Sequence, residues 1–333
     1  MNVQQRINAF SKLGEAIKNN TEQLKHGKHN PWFTDESLDY ALSEISKSLS
    51  RENIEKWVSM YPDLQKPIDV KRVGVITAGN IPLVGFHDFL SVLICGHKFV
   101  GKLSSKDDKL LPRVIDLLVE IEPEFNDYIF LSEERLKDFD AVIATGSNNS
   151  ARYFEYYFGK YPHIIRKNRN SVAVITGNET DKELELLADD IFLYFGLGCR
   201  SVSKLFLPDD YDLDYIFRNS LKHKEVINHN KYANNYDYNR AIYMMNLIEF
   251  KDNGIMLMKE DINMASPISV VYYEHYSKLE TVKQRLEFEK DNVQCVVADE
   301  TLIKDAIPFG ESQNPMLWDY ADNVDTLDFL LKL

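Results

Sequence analysis

The chain has 333 residues, 44% of them apolar and 12% aromatic, and its 39 Lys and Arg against 52 Asp and Glu give a formal charge of −13. That length leaves room for two or three domains; the composition excludes a disordered chain, and the acidity excludes a general nucleic-acid binder or a basic membrane-surface protein. Three widely spaced cysteines, Cys95, Cys199 and Cys295, form no CxxC pair and point to neither a metal site nor a disulfide framework, which fits a reducing, cytoplasmic setting. The N-terminal segment lacks the apolar stretch of a signal peptide. No apolar run approaches the roughly 20 residues of a membrane span.

Residues 1–69 read as a helical segment. Ile7, Phe10, Leu13 and Ile17 recur at helical spacing. Thr34-Asp35-Glu36 looks like a cap before a helix over 38–49, and Ser50 opens a shorter one through Trp57. The texture changes at Val70. Residues 73–77 predict a buried β-branched strand, Ala78-Gly79-Asn80 a turn, Pro82 a place near the start of the helix that follows, and 98–103 a second strand. Such a unit is a βαβ module with parallel strands. The alternation continues with a helix over 110–121, a strand over 128–131, a short helix over 135–139 and a strand over 140–144 that ends in Thr145-Gly146-Ser147. A helix over 150–158 and a strand over 163–166 follow, so 70–175 is expected to be a doubly wound α/β domain, with a last strand at 171–176. A second α/β domain is expected over 176–310. Its helix over 182–195 runs into Gly196-Leu197-Gly198-Cys199. A strand over 203–207, helical residues 211–230 and an irregular polar loop over 229–240 come next. Strands over 269–273 and 293–297 flank a Lys/Glu-rich helix over 278–289. Residues 311–333 form a tail of polar loop and helix, the helix over 324–331.

Four places could carry chemistry. Cys199 follows two glycines that permit close backbone approach, and Arg200 and Lys204 lie near enough in sequence to favour a thiolate; the alternative is a buried, inert thiol. Asn80 lies at the C-terminal end of a parallel strand, where open α/β sheets bind ligands. Its amide could donate to an oxyanion or simply cap a turn. Lys102, Ser104, Ser105 and Lys106 close the second strand and suit ribose or phosphate oxygens, or else form a solvated loop. Gly146 and Ser147 precede a helix, as an anion site or a plain cap. No GxGxxG or Walker A sequence is present. His87, His97 and His163 have no accompanying Ser/Asp pattern and read as structural.

The order of these features is more informative than any one of them. The stretches VGVITAGNIPLVGFHDFLSVLICGHKFVGKLSSKD, ATGSNNSARYFEYYFGKYPHIIRKNRNSVAVITG, ADDIFLYFGLGCRSVSKLFLP and PFGESQNPMLWDYADNVDTLDFLLKL together resemble the aldehyde dehydrogenase superfamily, and within it the acyl-CoA reductase branch of LuxC-like fatty acyl reductases. The resemblance covers about residues 28–333. It implies an aldehyde dehydrogenase-like fold, with 70–175 binding the dinucleotide and 176–310 bearing the nucleophile. Cys199 matches that nucleophile, and Asn80 the amide that shares an oxyanion hole with the Cys199 N–H. Lys102 matches the lysine at the adenosine ribose, and Gly146 and Ser147 the turn near the pyrophosphate and nicotinamide. Thr77, Ala78, Gly79, Ser104 and Ser105 complete the implied cofactor site. Ser105 stands where NAD-preferring members often hold a glutamate; with no carboxylate there and Lys106 beside it, NADPH is expected over NADH.

Two departures from the family pattern bear on the reaction. At the place of the hydrolytic general base stand Arg166-Lys167-Asn168-Arg169, with no carboxylate. A missing base would protect a thioester until hydride arrives. The Glu-x-Phe-Gly-Pro motif is replaced by Asn263-Met264-Ala265-Ser266-Pro267, with Glu260 and Asp261 slightly earlier. The implied activity is reduction of a fatty acyl-CoA or acyl-protein thioester to an aldehyde; the alternative is an acyltransferase or thioesterase that uses the same Cys. Polyanionic ligands on so acidic a chain require local basic groups, for which Lys102, Lys106, Arg200 and Lys204 are the candidates. Chain length, acyl donor and a possible homo-oligomer stay open.

Overall fold

The first helix, α1 (Val3–Asn19), starts at Asn2, whose side chain accepts the Gln5 N–H at 2.9 Å while Gln5 Oε1 accepts the Asn2 N–H at 2.8 Å. This reciprocal cap satisfies two donors that the helix cannot. Ile7, Phe10, Leu13 and Ile17 are buried along one stripe, as their spacing predicts, each contributing about 1.5–3 kcal/mol by burial. Helices α2 (Thr21–Lys25), α3 (Asp35–Ser48, capped by Thr34) and α4 (Arg51–Ser59, capped by Ser50) follow. The structure, a computed structural model, describes residues 1–26, 28–132 and 134–333. It divides into two compact units, Met1–Asn168 with Pro315–Leu333, and Arg169–Asn314.

The first unit is built on strands β1 (Arg72–Ile76), β2 (Lys98–Lys102), β3 (Ile129–Leu131), β4 (Ala141–Thr145) and β5 (His163–Arg166). They pair in the order β3-β2-β1-β4-β5, all parallel. The order reverses between β1 and β4, which makes that junction the switch point of the sheet. Helices α5 (Phe86–Cys95), α6 (Leu110–Ile121) and α7 (Asn148–Phe158) are the crossovers. The N-terminal helices belong to this unit and share its core: α1 packs on α3, α4, α5 and α6. Edge-to-face rings fill the interior, with Phe10 on Phe125 at 5.5 Å and Phe89 on Phe99 at 5.0 Å between centroids, arrangements that add to simple burial.

Residues 315–333 close the same unit. Trp57 Nε1 donates to Tyr320 Oη at 2.7 Å, and Tyr61 Oη donates to Asp325 at 2.7 Å. Because the one Tyr61 proton goes to the carboxylate, Tyr320 is the donor in the 2.8 Å contact between the two phenols. His87 and His97 bond to the carbonyls of Leu317 and Leu330, each at 2.9 Å, which is the structural use expected of them.

The second unit holds β6 (Asn170–Val174), α8 (Asp181–Phe192), β7 (Val202–Pro208), α9 (Asp214–Ser220), α10 (Asn230–Met245), β8 (Lys251–Asp252), β9 (Leu257–Glu260), β10 (Val270–Tyr276), α11 (Leu279–Phe288) and β11 (Val293–Val297). Its sheet order is β11-β6-β7-β10-β9-β8, parallel except for the β8–β9 pair. The last helix, α12 (Thr326–Leu331), returns to the first unit.

Several expectations need correction. β6 was expected at the end of the first α/β domain, 70–175, yet it pairs with β7 and β11 in the second sheet. The segments 1–69 and 315–333 are parts of the first unit. The expected loop over 229–240 is α10: Tyr232, Tyr236, Asn239 and Tyr243 are buried at helical spacing, so the apolar stripe is written in phenols and an amide. Arg135–Phe139 is irregular, and Pro82 lies in the turn that precedes α5. Among the described residues, no helix is long and apolar enough to cross a membrane.

Candidate active site

In the first unit the candidate cofactor residues collect at the C-terminal edge of the sheet. Register sets Ile76 beside both Lys102 and Ala144, so Thr77-Ala78-Gly79-Asn80, Lys102-Leu103-Ser104-Ser105 and Gly146-Ser147 leave three adjacent strands at one level. The loops after β1 and β2 are tied together. Thr77 N–H donates to the Lys102 carbonyl at 3.2 Å, and Ser104 N–H to Thr77 Oγ1 at 3.3 Å. A Cβ on Gly79 would stand 2.6 Å from Ser104 Oγ, so only glycine lets these loops touch. The Gly79 carbonyl accepts from the buried Asn30 at 3.2 Å, and the ring of His29 bonds the Ser105 carbonyl at 2.9 Å. Asn80 and Lys102 are half-buried; Ser105, Lys106 and Ser147 are exposed.

Two polar groups here are already committed. Ser147 caps α7, its hydroxyl accepting the Ser150 N–H at 3.2 Å. Asp107 is 7% exposed and accepts the Leu83 N–H at 2.9 Å; desolvation pushes its carboxyl up to about 6. It faces inward and does not replace the missing glutamate at Ser105. The Arg166 side chain likewise turns into the core. Its Nη1 binds both Asp88 oxygens at 2.8 and 2.6 Å, and its Nη2 donates to Thr326 at 3.0 Å. The segment where a hydrolytic base was sought thus begins with a structural arginine.

In the second unit Cys199 sits on a loop of unusual backbone. Helix α8 starts with a Thr180–Glu183 capping box and ends at Phe192. Tyr194, Phe195 and Gly196 then take left-handed angles, with φ of 54°, 58° and 73°. Two of the three carry side chains, and such strain persists only where surrounding contacts over-determine it. The Phe195 ring packs in a tilted contact on His229 at 4.4 Å and on Tyr232 at 6.1 Å between centroids. The loop then turns back: Ser201 N–H donates to the Gly198 carbonyl at 3.1 Å.

Cys199 itself is half-buried, and its carbonyl accepts from Ser171 Oγ at 3.0 Å. Ser171 Oγ also lies 3.0 Å from Cys295 Sγ. The hydroxyl proton is used at Cys199, so the Cys295 thiol is the donor in that contact. Desolvation pushes the Cys295 thiol up to about 11, which keeps it neutral for this role. Burial also raises the Cys95 thiol. Both therefore behave as the structural cysteines expected from their apolar surroundings.

Lys204 corrects a further expectation. It is wholly buried in β7, where Nζ donates to the Asp261 carbonyl and pairs with Glu274 at 3.0 Å. An ammonium held that way neutralises Glu274 and is not a phosphate-binding group. Asp261 is held by Lys259 at 2.5 Å and by the Asn263 N–H at 2.9 Å, while Glu260 is exposed at the end of β9. Sequence reading did not single out Ser171 and Gln313, which bond Cys199 and Ser201, or Asp190, which holds the Gly310 and Ser312 N–H groups. For Asp190 there was a signal, a carboxylate three residues after Leu187 on the buried side of α8.

Among solved structures, the fold matches indole-3-acetaldehyde dehydrogenase AldA of P. syringae, in complex with NAD+ and IAA, with a TM-score of 0.70 and 14% identity over 90% of this chain and 72% of that one. It also matches aldehyde dehydrogenase 21 of Physcomitrella patens, in complex with succinate, with a TM-score of 0.66 and 15% identity over 91% of this chain and 75% of the other. The two-unit architecture is therefore the aldehyde dehydrogenase-like fold. A curated relative, long-chain acyl-protein thioester reductase 2 of Photobacterium leiognathi, is 19% identical over 196 residues, 54% of this chain and 41% of the relative's own length. The chain thus aligns with about two-fifths of that protein. The family model described as Acyl-CoA reductase (LuxC) matches residues 20–224, more than half of the sequence, and this chain belongs to that family.

Proposed function

We propose that this protein reduces a fatty acyl thioester, presented as acyl-CoA or as an acyl-protein, to the aldehyde, with Cys199 as nucleophile and NADPH as the reductant. The observation that carries the proposal is the backbone of the cysteine loop. A thiol on a well-braced turn that follows a strained backbone stretch, between a helix and a central strand, is suited to meet a substrate. Membership of the acyl-CoA reductase family supports the substrate class, and the curated acyl-protein thioester reductase supports the acyl-protein donor.

The residues at the strand ends of the first unit fit a dinucleotide. Lys102 offers an ammonium, Ser105 and Lys106 are exposed side by side, and the N-terminus of α7 opens at Gly146 and Ser147. Thr77, Ala78, Gly79 and Ser104 form the close-packed floor. No carboxylate stands at Ser105, Asp107 is turned inward, and Lys106 is exposed beside Ser105 to meet a 2′-phosphate. This set supports NADPH over NADH.

In the proposed reaction the Cys199 thiolate attacks the thioester carbonyl carbon. The oxyanion is held by the Cys199 N–H and the Asn80 side-chain amide, each donor worth roughly 2.7–4 kcal/mol in comparable sites. The carbon–sulfur bond to the donor breaks, its thiolate leaves, and the acyl group remains on Cys199. The nucleotide supplies the hydride that reduces this acyl group. Cys199 is then the leaving group as the carbonyl re-forms, which regenerates the thiolate and frees the aldehyde. Splitting the transfer in two lowers each barrier. The segment Arg166–Arg169 supplies no carboxylate as a general base for water, which favours reduction over hydrolysis.

The test is NADPH oxidation across a series of acyl-CoA chain lengths. Equimolar loss of NADPH and gain of aldehyde, abolished by Cys199→Ala, is expected. Release of free CoA without loss of NADPH would make the protein a thioesterase and overturn the proposal. A kcat/KM with NADH at least equal to that with NADPH would overturn the cofactor assignment.

A further inference from the structure

Asp190 is 1% exposed, and nothing in the proposed chemistry uses it. Its carboxylate accepts the Gly310 N–H at 2.7 Å through Oδ2 and the Ser312 N–H at 3.0 Å through Oδ1. Bonds to an ionised acceptor are stronger than neutral ones. Desolvation pushes this carboxyl up to about 6, so it is still charged at neutral pH. The segment it grips, residues 308–313, is packed closely against α8 at Gly310. Gly310 has φ of 86°, and a Cβ there would stand 2.7 Å from Leu186 Cδ2. At the far end of that segment, Gln313 Nε2 donates to Ser201 Oγ at 3.3 Å, with both side chains buried.

Ser201 closes the turn that contains Cys199, because its N–H donates to the Gly198 carbonyl at 3.1 Å. A Cβ on Gly198 would meet Ser201 Oγ at 3.2 Å and Gln313 Oε1 at 3.5 Å. The helix, the 308–313 segment and the cysteine turn are therefore in direct contact. The chain's own path from α8 to Cys199 passes through three left-handed residues, Tyr194, Phe195 and Gly196. Such a path stores strain and tends to relax unless held. The route through Asp190, Gly310–Ser312, Gln313 and Ser201 joins the last turn of α8 to the far side of the cysteine turn without crossing those residues.

We infer that Asp190 and Gln313 are positioning residues for Cys199, clamping the Gly198–Ser201 turn to helix α8. The inference rests on the reading of Cys199 as the nucleophile, and it assigns neither residue a contact with substrate. Mispositioning a nucleophile by even 1 Å costs on the order of a hundredfold in rate. A clamp that acts on the thiol's position should affect kcat far more than KM.

The experiment compares wild type, Asp190→Asn, Gln313→Leu and the double variant by two readouts. The first is amide hydrogen exchange of a peptide spanning residues 194–203, with a β10 peptide as internal reference. The second is steady-state aldehyde formation from acyl-CoA and NADPH. Each single variant is expected to exchange about tenfold faster over 194–203 while β10 keeps its protection. Each is also expected to lose about tenfold or more in kcat with KM within about twofold, and the double variant to be little worse than the poorer single one, as for residues acting through one link. Unchanged exchange in both single variants, or losses that multiply in the double variant, would overturn the inference. If Asp190→Asn fails to fold, Gln313→Leu alone decides by the same two criteria. If wild type reduces no acyl-CoA, the reductase reading falls, and the exchange data still decide whether the clamp exists.

Discussion

The Arg166–Asp88 pair offers a sharp test of how the first unit is held together. Both side chains are nearly inaccessible, at 6% and 9% exposure, and the guanidinium donates to both Asp88 oxygens and to Thr326 of α12. Arg166→Met leaves the carboxylate of Asp88 buried and uncompensated, and removing one partner of such a pair costs about 3–5 kcal/mol. Replacing both, as Asp88→Leu with Arg166→Met, removes both charges together and should lie within about 1–2 kcal/mol of wild type. The three tryptophans, Trp32, Trp57 and Trp318, all belong to this unit, so tryptophan fluorescence in urea reports its unfolding separately from the second unit. With an m-value of about 2 kcal/mol/M, the single variant's midpoint should fall by about 1.5–2.5 M, and the double variant should recover most of that. A fall below about 0.5 M for Arg166→Met, or a double variant as unstable as the summed single changes, would refute the assignment of this pair as a buried lock.

Four other substitutions test particular residues. Gly310→Ala combines a left-handed φ with a Cβ 2.7 Å from Leu186 and should destabilise the second unit by about 2–5 kcal/mol. Gly254→Ala, at a similar φ but with open space around it, should cost only about 1–2 kcal/mol; equal losses by circular dichroism in urea would show that packing at Gly310 does not matter. Asp107 holds its proton in the folded state up to about pH 6 against an ordinary 3.8. The folded state therefore binds more protons across that window, and stability falls as pH rises through it, by on the order of 2–3 kcal/mol. Asp107→Asn should accordingly gain on wild type as pH is raised from about 4 to 7, and a flat or falling difference in urea midpoints would contradict the sign. Asn80→Ala should lower kcat by about 10²–10³ if its amide serves the oxyanion, and a loss of less than about tenfold would remove Asn80 from that role.

Much of this architecture was legible in the sequence because its signals are local. The β-branched run at 73–77 and the apolar stripe of 110–121 gave nearly the observed bounds of β1 and α6. Helix α10 was not legible: its buried face is three tyrosines and Asn239, residues that also fill loops. The membership of β6 was missed because a buried strand carries no mark of which sheet it will join. At the candidate site, the glycines near Cys199 announced an unusual turn. They did not announce that Tyr194 and Phe195, which resist such angles, would share it. Lys204 read as a cation near a thiol, and only the fold shows it spent on Glu274. Long-range partners of this kind, Asp190 with Gly310 or Arg166 with Asp88, leave no periodicity in the sequence to read.

The central claim is that Cys199 carries the acyl group. Mixing the protein with a long-chain acyl-CoA in the absence of reduced nucleotide, followed by intact mass and peptide mapping, tests it directly. One acyl adduct on Cys199, discharged as aldehyde when NADPH is added and absent in Cys199→Ala, is the expected result. An adduct on another residue, or one that persists in Cys199→Ala, would contradict the claim.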